Sequence, residues 1–292
     1  MTETRELRRR ACELVCLTDP VEKAARTREL PALGLLADPE ADLPEPAGVP
    51  GRPDRPVQVA PRDVPTRGMA TPEARAALMH ALAHIEFNAI NLALDAIWRF
   101  SGLPQGFYQD WLKVASEEAL HFTLLTDHMA AHGVAYGDFP AHDGLWQMAE
   151  KTKGDPLARM ALVPRTLEAR GLDASPAIRA RLAHAGDHKA AGILDIILRD
   201  EIGHVAIGNR WYRHLCDAAG LDPVVHYPIL SEAYVVPVLR GPFNFPARRE
   251  AGFTEPELVA LEQAAASARI PPRETAAPSA APSRSPSSAK PA

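Results

Sequence analysis

The feature that most restricts the fold of this 292-residue chain is the distribution of its prolines. Ten prolines lie between Pro31 and Pro72, whereas residues 73–103, 105–139 and 177–222 contain none. Proline lacks an amide hydrogen and fixes φ, so a segment this rich in proline cannot form long helices or central strands. We therefore interpret residues 31–72 as an extended arm that wraps a helical body, or as a linker.

The proline-free tracts have the pattern of long helices. Thr71 is suited to the N-cap and Pro72 to the first position of a helix that runs to about Phe100. Further helices are predicted over 105–132 and 189–219, each followed by a glycine. No strand alternation and no repeat is visible, so the predicted fold class is all-α.

Other segments are less regular. Two helical pieces are expected within residues 4–30, and a broken helical stretch over 146–186, interrupted near 154–156, at Gly171 and before Pro176. Pro164 should disturb the local hydrogen-bond ladder. Residues 227–253 carry four prolines and are expected to be irregular. The predicted division is 1–65, N-terminal helices and arm; 66–255, helical bundle with an extension; 256–270, a short helix; and 271–292, a disordered tail.

Composition narrows the class of protein. Hydrophobic residues make up 46% of the chain and charged residues 24%, which is typical of a soluble globular protein. A net charge of −5 argues against a large nucleic-acid footprint. Three cysteines form no C-x-x-C pair, the first residues form no apolar signal segment, and no apolar run is long enough for a membrane span. We expect a cytoplasmic protein without membrane or nucleic-acid partners.

Two Glu-x-x-His motifs carry the chemistry. They are Glu118 with His121, and Glu201 with His204, each within a predicted long helix. A spacing of three places both side chains on one helix face, where a carboxylate and an imidazole can bind one metal ion. Glu86 lies in an apolar stretch of the first long helix, where a lone carboxylate would cost several kcal/mol unless a cation neutralised it.

Glu168 completes a repeated order along the chain: one Glu, then Glu-x-x-His, twice. This order is the ligand pattern of ferritin-like bundles with a di-iron carboxylate centre. The spacings agree, because Glu86 to Glu118 is 32 residues and Glu168 to Glu201 is 33. Each ligand then lies about 20 Å along its helix from the loop that joins the helical pair, near the middle of the bundle's length. The predicted metal ligands are Glu86, Glu118, His121, Glu168, Glu201 and His204.

Simpler interpretations compete at single positions. Glu168 has the strongest alternative, an ion pair with Arg165 one turn earlier. His128 is two turns beyond His121 and is better explained as a packed core histidine than as a group that supports the metal. Asp200 could orient a ligand histidine, but a solvated side chain is the better interpretation of the sequence.

Several strings make the chain resemble an uncharacterised bacterial ferritin-like family, domain of unknown function 455. They are HIEFNAINLALDAIWRF (84–100), EEALHF (117–122), YGDFPAHDGLW (136–146), TLEARGLD (166–173), RDEIGHVAIGNRW (199–211) and RGPFN (240–244). The resemblance covers roughly residues 60–255 and implies a ferritin-like four-helix bundle. The chain is also similar to di-iron tRNA hydroxylases and to rubrerythrin, but only in the order of its ligands. This similarity therefore does not imply an RNA substrate.

These observations favour an O2-activating di-iron oxidase or monooxygenase. The cofactor expected is two iron ions, although a Mn/Fe pair or two Mn ions would use the same ligands. The partners expected are a small-molecule substrate, O2 and an external electron donor, and a homodimer is a compatible assembly. Two alternatives stay open: an iron-binding ferroxidase or peroxide scavenger without an organic substrate, and a metal-free structural bundle.

Overall fold

The computed structural model describes residues 6–65 and 68–268. The expected disordered tail, 271–292, and residues 1–5 of the N-terminal segment lie outside this range. Within the described residues the chain is all-helical, and two isolated β-bridges are the only strand-like pairings. The all-α prediction is therefore confirmed. None of the described helices is both long and apolar enough to cross a membrane.

The longest of the described helices pack in pairs. In chain order the helices are α1 Leu7–Val15, α2 Pro20–Glu29, α3 Pro72–Arg99, α4 Gln105–Ala130, α5 Gly144–Lys151, α6 Pro156–Leu162, α7 Ala169–His184, α8 His188–Ala219, α9 Pro223–Ala233, α10 Phe245–Glu250 and α11 Glu255–Ser267. Helix α3 packs along α4, α7 packs along α8, and α4 also contacts α8. Helix α1 packs against α3, and α2 against α4. The π-helical segment Val163–Glu168 joins α6 to α7 in one continuous helical run.

The two longest helices begin at local caps. At the start of α3 the Thr71 hydroxyl accepts a hydrogen bond from the Ala74 amide at 3.1 Å. At the start of α8 the Asp187 carboxylate accepts one from the Ala190 amide at 2.9 Å. These bonds satisfy amides that have no partner within the helix, which is why both helices begin within a residue or two of the predicted position.

Two expectations about helix breaks were wrong. Helix α7 continues through Gly171 and contains Pro176. Segment 227–253 is helical in part, since it includes most of α9 and all of α10. Packing of α7 along α8 explains the first case, because tertiary contacts outweigh a weak local preference. In the second, the Asp222 carboxylate caps the amides of Val224 and Val225, so α9 begins at Pro223 despite the prolines around it.

The proline-rich segment is an arm laid on the helical core rather than a linker. Arg8 is buried and donates hydrogen bonds to the carbonyl of Asp38 in the arm and to that of Trp98 in α3, at 2.8 and 2.9 Å. Lys23 is also buried and donates to the Gly51 carbonyl in the arm and to Asn91 in α3, at 2.8 and 2.6 Å. Two buried cations thus tie the N-terminal helices and the arm to α3.

A buried ion pair fixes α6 against α3. Arg159 is 1% exposed and its guanidinium contacts the carboxylate of Asp95, which is fully buried. We expect Arg159→Met to lower the free energy of unfolding by about 1.5–3 kcal/mol, because Asp95 loses the charged hydrogen bond to one oxygen while Arg99 still pairs with the other. Arg179→Met removes the exposed pair with Asp195 and should change stability much less. Urea unfolding of both variants measures the difference, and equal losses would contradict it.

Candidate metal centre

The six predicted ligands lie on four helical segments. Glu86 is on α3, Glu118 and His121 on α4, Glu168 at the end of the π-helical segment, and Glu201 and His204 on α8. Five of them are buried residues. Glu168 is half-buried as a residue, but its Oε2 atom is buried. The helices therefore bring acidic and imidazole groups from all four segments into the interior.

Four of these residues form a compact cluster. One ligand atom from each of Glu86, Glu118, His121 and Glu201 lies within 4.8 Å of the others, so this buried cluster could hold a metal ion. Nδ1 of His121 is 3.4 Å from Oε2 of Glu86 and 3.4 Å from Oε2 of Glu118. Nδ1 of His121 thus faces two carboxylates, one from its own helix α4 and one from the neighbouring helix α3.

Glu118 lies between the two histidines. Its Oε2 faces His121, while its Oε1 is 2.9 Å from Nδ1 of His204. Nδ1 of His204 is also 3.9 Å from Oε2 of Glu201. Glu168 is outside the compact cluster but close enough that Glu118 and His204 act on its ionisation. His204 and Glu168 therefore adjoin the four-residue cluster on one side.

Unpaired polar atoms show what this region lacks. Five of the six predicted ligands each present a buried atom that makes no hydrogen bond: Glu86 Oε2, Glu118 Oε1, Glu168 Oε2, Glu201 Oε2 and His204 Nδ1. Four of these atoms have only ion-pair contacts of 2.9–3.9 Å with other predicted ligands, and two of the four, Glu118 Oε1 and His204 Nδ1, contact each other. A buried polar atom whose hydrogen bonding is unsatisfied is destabilising by about 1–3 kcal/mol. Because all five are metal-ligating atoms, the donor set fits bound cations.

Electrostatics support the same conclusion. Burial first, and then the nearby Glu118 carboxylate, raise the pKa of Glu86 to about 8 and that of Glu168 to about 8. The same two causes raise the pKa of Glu201. Without a cation Glu86 and Glu168 are mostly protonated at neutral pH, and the pKa of Glu201 is shifted in the same direction. Desolvation and mutual repulsion oppose their ionisation, and a bound cation would remove both costs.

The histidines are shifted towards their protonated form. Burial acts to lower the pKa of His204, but Glu118 and its neighbours raise it overall to about 10. Burial is likewise outweighed by Glu118 and Glu86 at His121, whose pKa is raised. Conversely, burial acts to raise the pKa of Glu118, but His204 and His121 lower it overall. In the metal-free protein His204 is therefore largely an imidazolium at neutral pH, and His121 is shifted towards the same form, with the ionised Glu118 carboxylate between them.

Each histidine is supported from behind by a carboxylate on the opposite helix. Nε2 of His121 donates to Asp200 of α8 at 3.2 Å, and Nε2 of His204 donates to Glu117 of α4 at 2.9 Å. A proton held at Nε2 leaves Nδ1 directed towards the cluster as a ligand atom. The side chain of Arg199 contacts Asp200 at 2.8 and 3.0 Å. The expectation that Asp200 is solvated was therefore wrong, since it is 9% exposed.

Glu117 was missed by the sequence analysis, although a signal existed. An acidic residue directly precedes the Glu in both motifs, giving Glu117-Glu118-x-x-His121 and Asp200-Glu201-x-x-His204. That position is about 100° around the helix from the ligand face, so helical geometry alone places it outside the predicted metal centre. It nevertheless reaches the histidine of the neighbouring helix, a contact that depends on how the two helices pack.

The π-helical segment Val163–Glu168 determines the position of Glu168. Pro164 cannot donate to the helix ladder, and the helix widens around it. Gly208 of α8 permits the close approach, because a Cβ there would lie 2.6 Å from Cβ of Pro164. The alternative of a Glu168–Arg165 pair is not observed, since Arg165 contacts Asn209 and Glu257 instead. Pi-helical turns are frequent at functional sites.

His128 remains outside the centre. Its side chain is buried and its Nε2 contacts Asp187 at 3.0 Å. It therefore packs in the interior near the start of α8, in agreement with the core interpretation.

We expect Asp200→Asn to weaken metal binding by about 10–100-fold, because the carboxylate that orients His121 is lost while all six ligands remain. Asp195→Asn, an exposed carboxylate on the same helix, is the matched control. Titration of the metal-free protein with Mn²⁺ under an EDTA competitor measures both variants. Unchanged affinity in Asp200→Asn would contradict a supporting role for this residue.

The fold and the site together define an all-helical protein with a buried Glu/His cluster that could bind metal. The chain belongs to the DUF455 family of proteins of unknown function, whose family model matches residues 16–259. It is 53% identical over 213 residues to an uncharacterised protein of Haemophilus influenzae, a match that covers 70% of this chain and 74% of the relative. No solved structure matches the chain.

Proposed function

We propose that this chain is a ferritin-like di-iron carboxylate protein that activates O2 as an oxidase or monooxygenase. In this proposal residues 66–255 form the metal-binding domain, and the ligands are Glu86, Glu118, His121, Glu168, Glu201 and His204. The single observation that carries it is the position of Glu118, whose two oxygens face two different imidazoles. A carboxylate in that position is suited to bridge two metal ions.

Charge and ligand count favour two divalent ions. Glu86 lies beside His121, and Glu201 beside His204, so each imidazole has its own carboxylate in addition to the shared Glu118. Four ionised carboxylates would balance the charge of two divalent cations, whereas a single ion would leave surplus negative charge in the interior. Carboxylate and imidazole donors suit iron and manganese, and a mixed pair would use the same residues.

Bound iron would supply redox chemistry with O2 through coordination positions that the protein leaves open. The protein's own contribution would be to hold the imidazoles in one tautomer through Asp200 and Glu117. The Glu168 carboxylate, with Oε2 unpartnered on a widened helical turn, is placed to change its position as ligands bind. Electrons would come from an external donor, because the chain's three cysteines form no iron–sulfur motif.

The proposal is tested by loading the metal-free protein with Fe²⁺ without oxygen and then adding O2. We expect about two irons per chain, a Mössbauer signature of a coupled pair, and O2 consumption in a single turnover. Glu118→Gln should lose all three, whereas Glu262→Gln, an exposed residue of α11, should keep them. A reduced centre that does not react with O2, or a 12-mer or 24-mer that stores many irons, would overturn the proposal.

A further inference from the structure

A cavity whose lining includes none of the predicted metal ligands lies between α9, α11 and segment 236–239. Its volume is about 230 Å³, and most of its wall is apolar. Tyr227 and Phe253 are among the lining residues, and the charged ones are Arg165, Arg248 and Glu257. Arg165 and Glu257 form an ion pair that is here called the charged end. This volume is below the roughly 300–1,000 Å³ of pockets for drug-sized molecules, so the cavity suits a small ligand.

The charged end of the cavity is buried and firmly held. The side chains of Arg165 and Glu257 are 3% and 2% exposed, and they contact each other at 3.0 Å. Arg165 also contacts Asn209 at 2.6 Å and lies over the rings of Tyr227 and Phe253. Glu257 in turn accepts hydrogen bonds from the Thr254 amide and from Arg213. These groups are therefore fixed before any ligand arrives.

Three buried polar atoms at this cavity make no hydrogen bond: Nε of Arg165, Oε1 of Glu257 and Oγ of Ser231. Oε1 of Glu257 has the 3.0 Å ion-pair contact with Nη2 of Arg165, and a carboxylate oxygen has a further lone pair for one more donor. Their residues all line the same cavity. A buried polar atom without a partner is costly, so their convergence in one apolar chamber indicates a ligand that supplies the missing bonds.

We propose that this cavity binds a small neutral amphiphile, with its apolar body against the aromatic and aliphatic wall and its polar head at Arg165, Glu257 and Ser231. The head must accept a hydrogen bond from Nε of Arg165 and donate one to Oε1 of Glu257. An alcohol or a carboxamide can do both. A carboxylate has no hydrogen to donate, and an ammonium group has no lone pair to accept with.

The placement of charges gives the same selectivity. Glu257 pairs with Arg165 and with the partly exposed Arg213, and Arg248 on the cavity wall pairs with Asp173. A carboxylate head would lie beside the Glu257 carboxylate, and an ammonium head beside the Arg165 guanidinium, so either charged head would meet a like charge in a buried site. The site therefore discriminates by head group rather than by chain length. The proposal depends on the cavity alone and does not require a metal at the other site.

The test is calorimetric titration of the full chain with four probes of one chain length: 1-octanol, octanamide, octanoate and octylammonium. We expect saturable binding of 1-octanol and octanamide, and at least tenfold weaker binding of the two charged probes. Ser231→Ala should weaken octanamide binding by up to about tenfold, because it removes one head-group partner. Octanoate or octylammonium binding as tightly as octanamide would overturn the head-group assignment.

A blocking variant tests the location. Ala264 lies on the cavity wall in α11, so Ala264→Phe should abolish binding of both neutral probes. Val259→Phe, at an exposed position of the same helix that does not line the cavity, should leave binding unchanged and controls for the added ring. Thermal unfolding of both variants confirms that they fold. Absence of saturable binding to the native chain, or unchanged binding by folded Ala264→Phe, would overturn the proposal.

Discussion

Replacing Glu86 by glutamine should abolish binding of the metal pair and, at pH 8, make the metal-free protein more stable than the native chain. Both effects follow from the cost of ionising a buried carboxyl beside Glu118. Loss of a residue that only orients a ligand weakens binding by about 10–100-fold, so loss of a ligand itself should exceed about 100-fold. Glutamine keeps the shape of the side chain but cannot become an anion.

The sign of the stability effect depends on pH. The folded pKa of Glu86 is about 8, above its ordinary value of 4.5, because burial and Glu118 oppose its ionisation. Between those values the unfolded chain releases this proton while the folded chain keeps it, so metal-free stability is lost as pH rises from about 4.5 to 8. Glutamine does not titrate and avoids that loss, which is on the order of a few kcal/mol.

Urea unfolding in EDTA at pH 4.5 and pH 8, with Mn²⁺ titration alongside, checks both halves of this prediction. The stability gain of Glu86→Gln should be near zero at the lower pH and largest at the higher. Glu73→Gln, an exposed residue of the same helix, should change neither stability nor metal binding. If Glu86→Gln destabilised the metal-free protein at pH 8 as much as at pH 4.5, the carboxyl would not be the strained group described here.

The two Glu-x-x-His motifs, together with the lone Glu86 in an apolar helix, were enough to predict the residues of the compact cluster, Glu86, Glu118, His121 and Glu201. Helical periodicity decides which residues share a face, and matched spacings of 32 and 33 residues decide the height of each ligand along its helix. The helix face of a residue depends on the local sequence, and its height depends on the number of residues between it and the loop. The starts of α3 and α8 were predictable for a similar reason, because a side chain and an amide three residues later form the cap.

Features that depend on packing were not predictable. Asp200 and Glu117 lie beside the ligand face on their own helices, and only the contact of α4 with α8 brings them to the opposite histidines. Helix α7 passes through Gly171 and Pro176 because α8 supports it. The course of the proline-rich arm depends on buried contacts of Arg8 and Lys23, which have no sequence periodicity. Local patterns predict elements, whereas these contacts arise between elements.

The second large effect is a linkage between metal binding and protons. In the metal-free site the pKa values of Glu86, Glu168 and Glu201 are raised, and those of His121 and His204 are raised as well. At pH 6.5 Glu86 and Glu168, each with a pKa of about 8, and His204, with a pKa of about 10, together hold about three protons that metal ligation must displace. The pKa values of Glu201 and His121 are shifted in the same direction. Affinity for the proposed metal pair should then rise by about 10³-fold or more per pH unit near pH 6–7.

Metal-free and metal-bound stability should therefore change in opposite directions with pH. Raised carboxyl pKa values remove metal-free stability between pH 4.5 and about 8, and the imidazolium contribution, complete below pH 6.5, is lost as pH rises towards the His204 pKa of about 10. Bound metal reverses the trend up to about pH 7, because it requires every ligand deprotonated while the histidines of the unfolded chain still hold protons. Above that pH these groups leave metal-bound stability unchanged. Unfolding in EDTA and in saturating Mn²⁺ from pH 5 to 8, with proton release followed by an indicator dye in weak buffer, measures both curves. Release of fewer than about two protons, or metal-free stability that increases with pH, would mean that these ligands do not share one site.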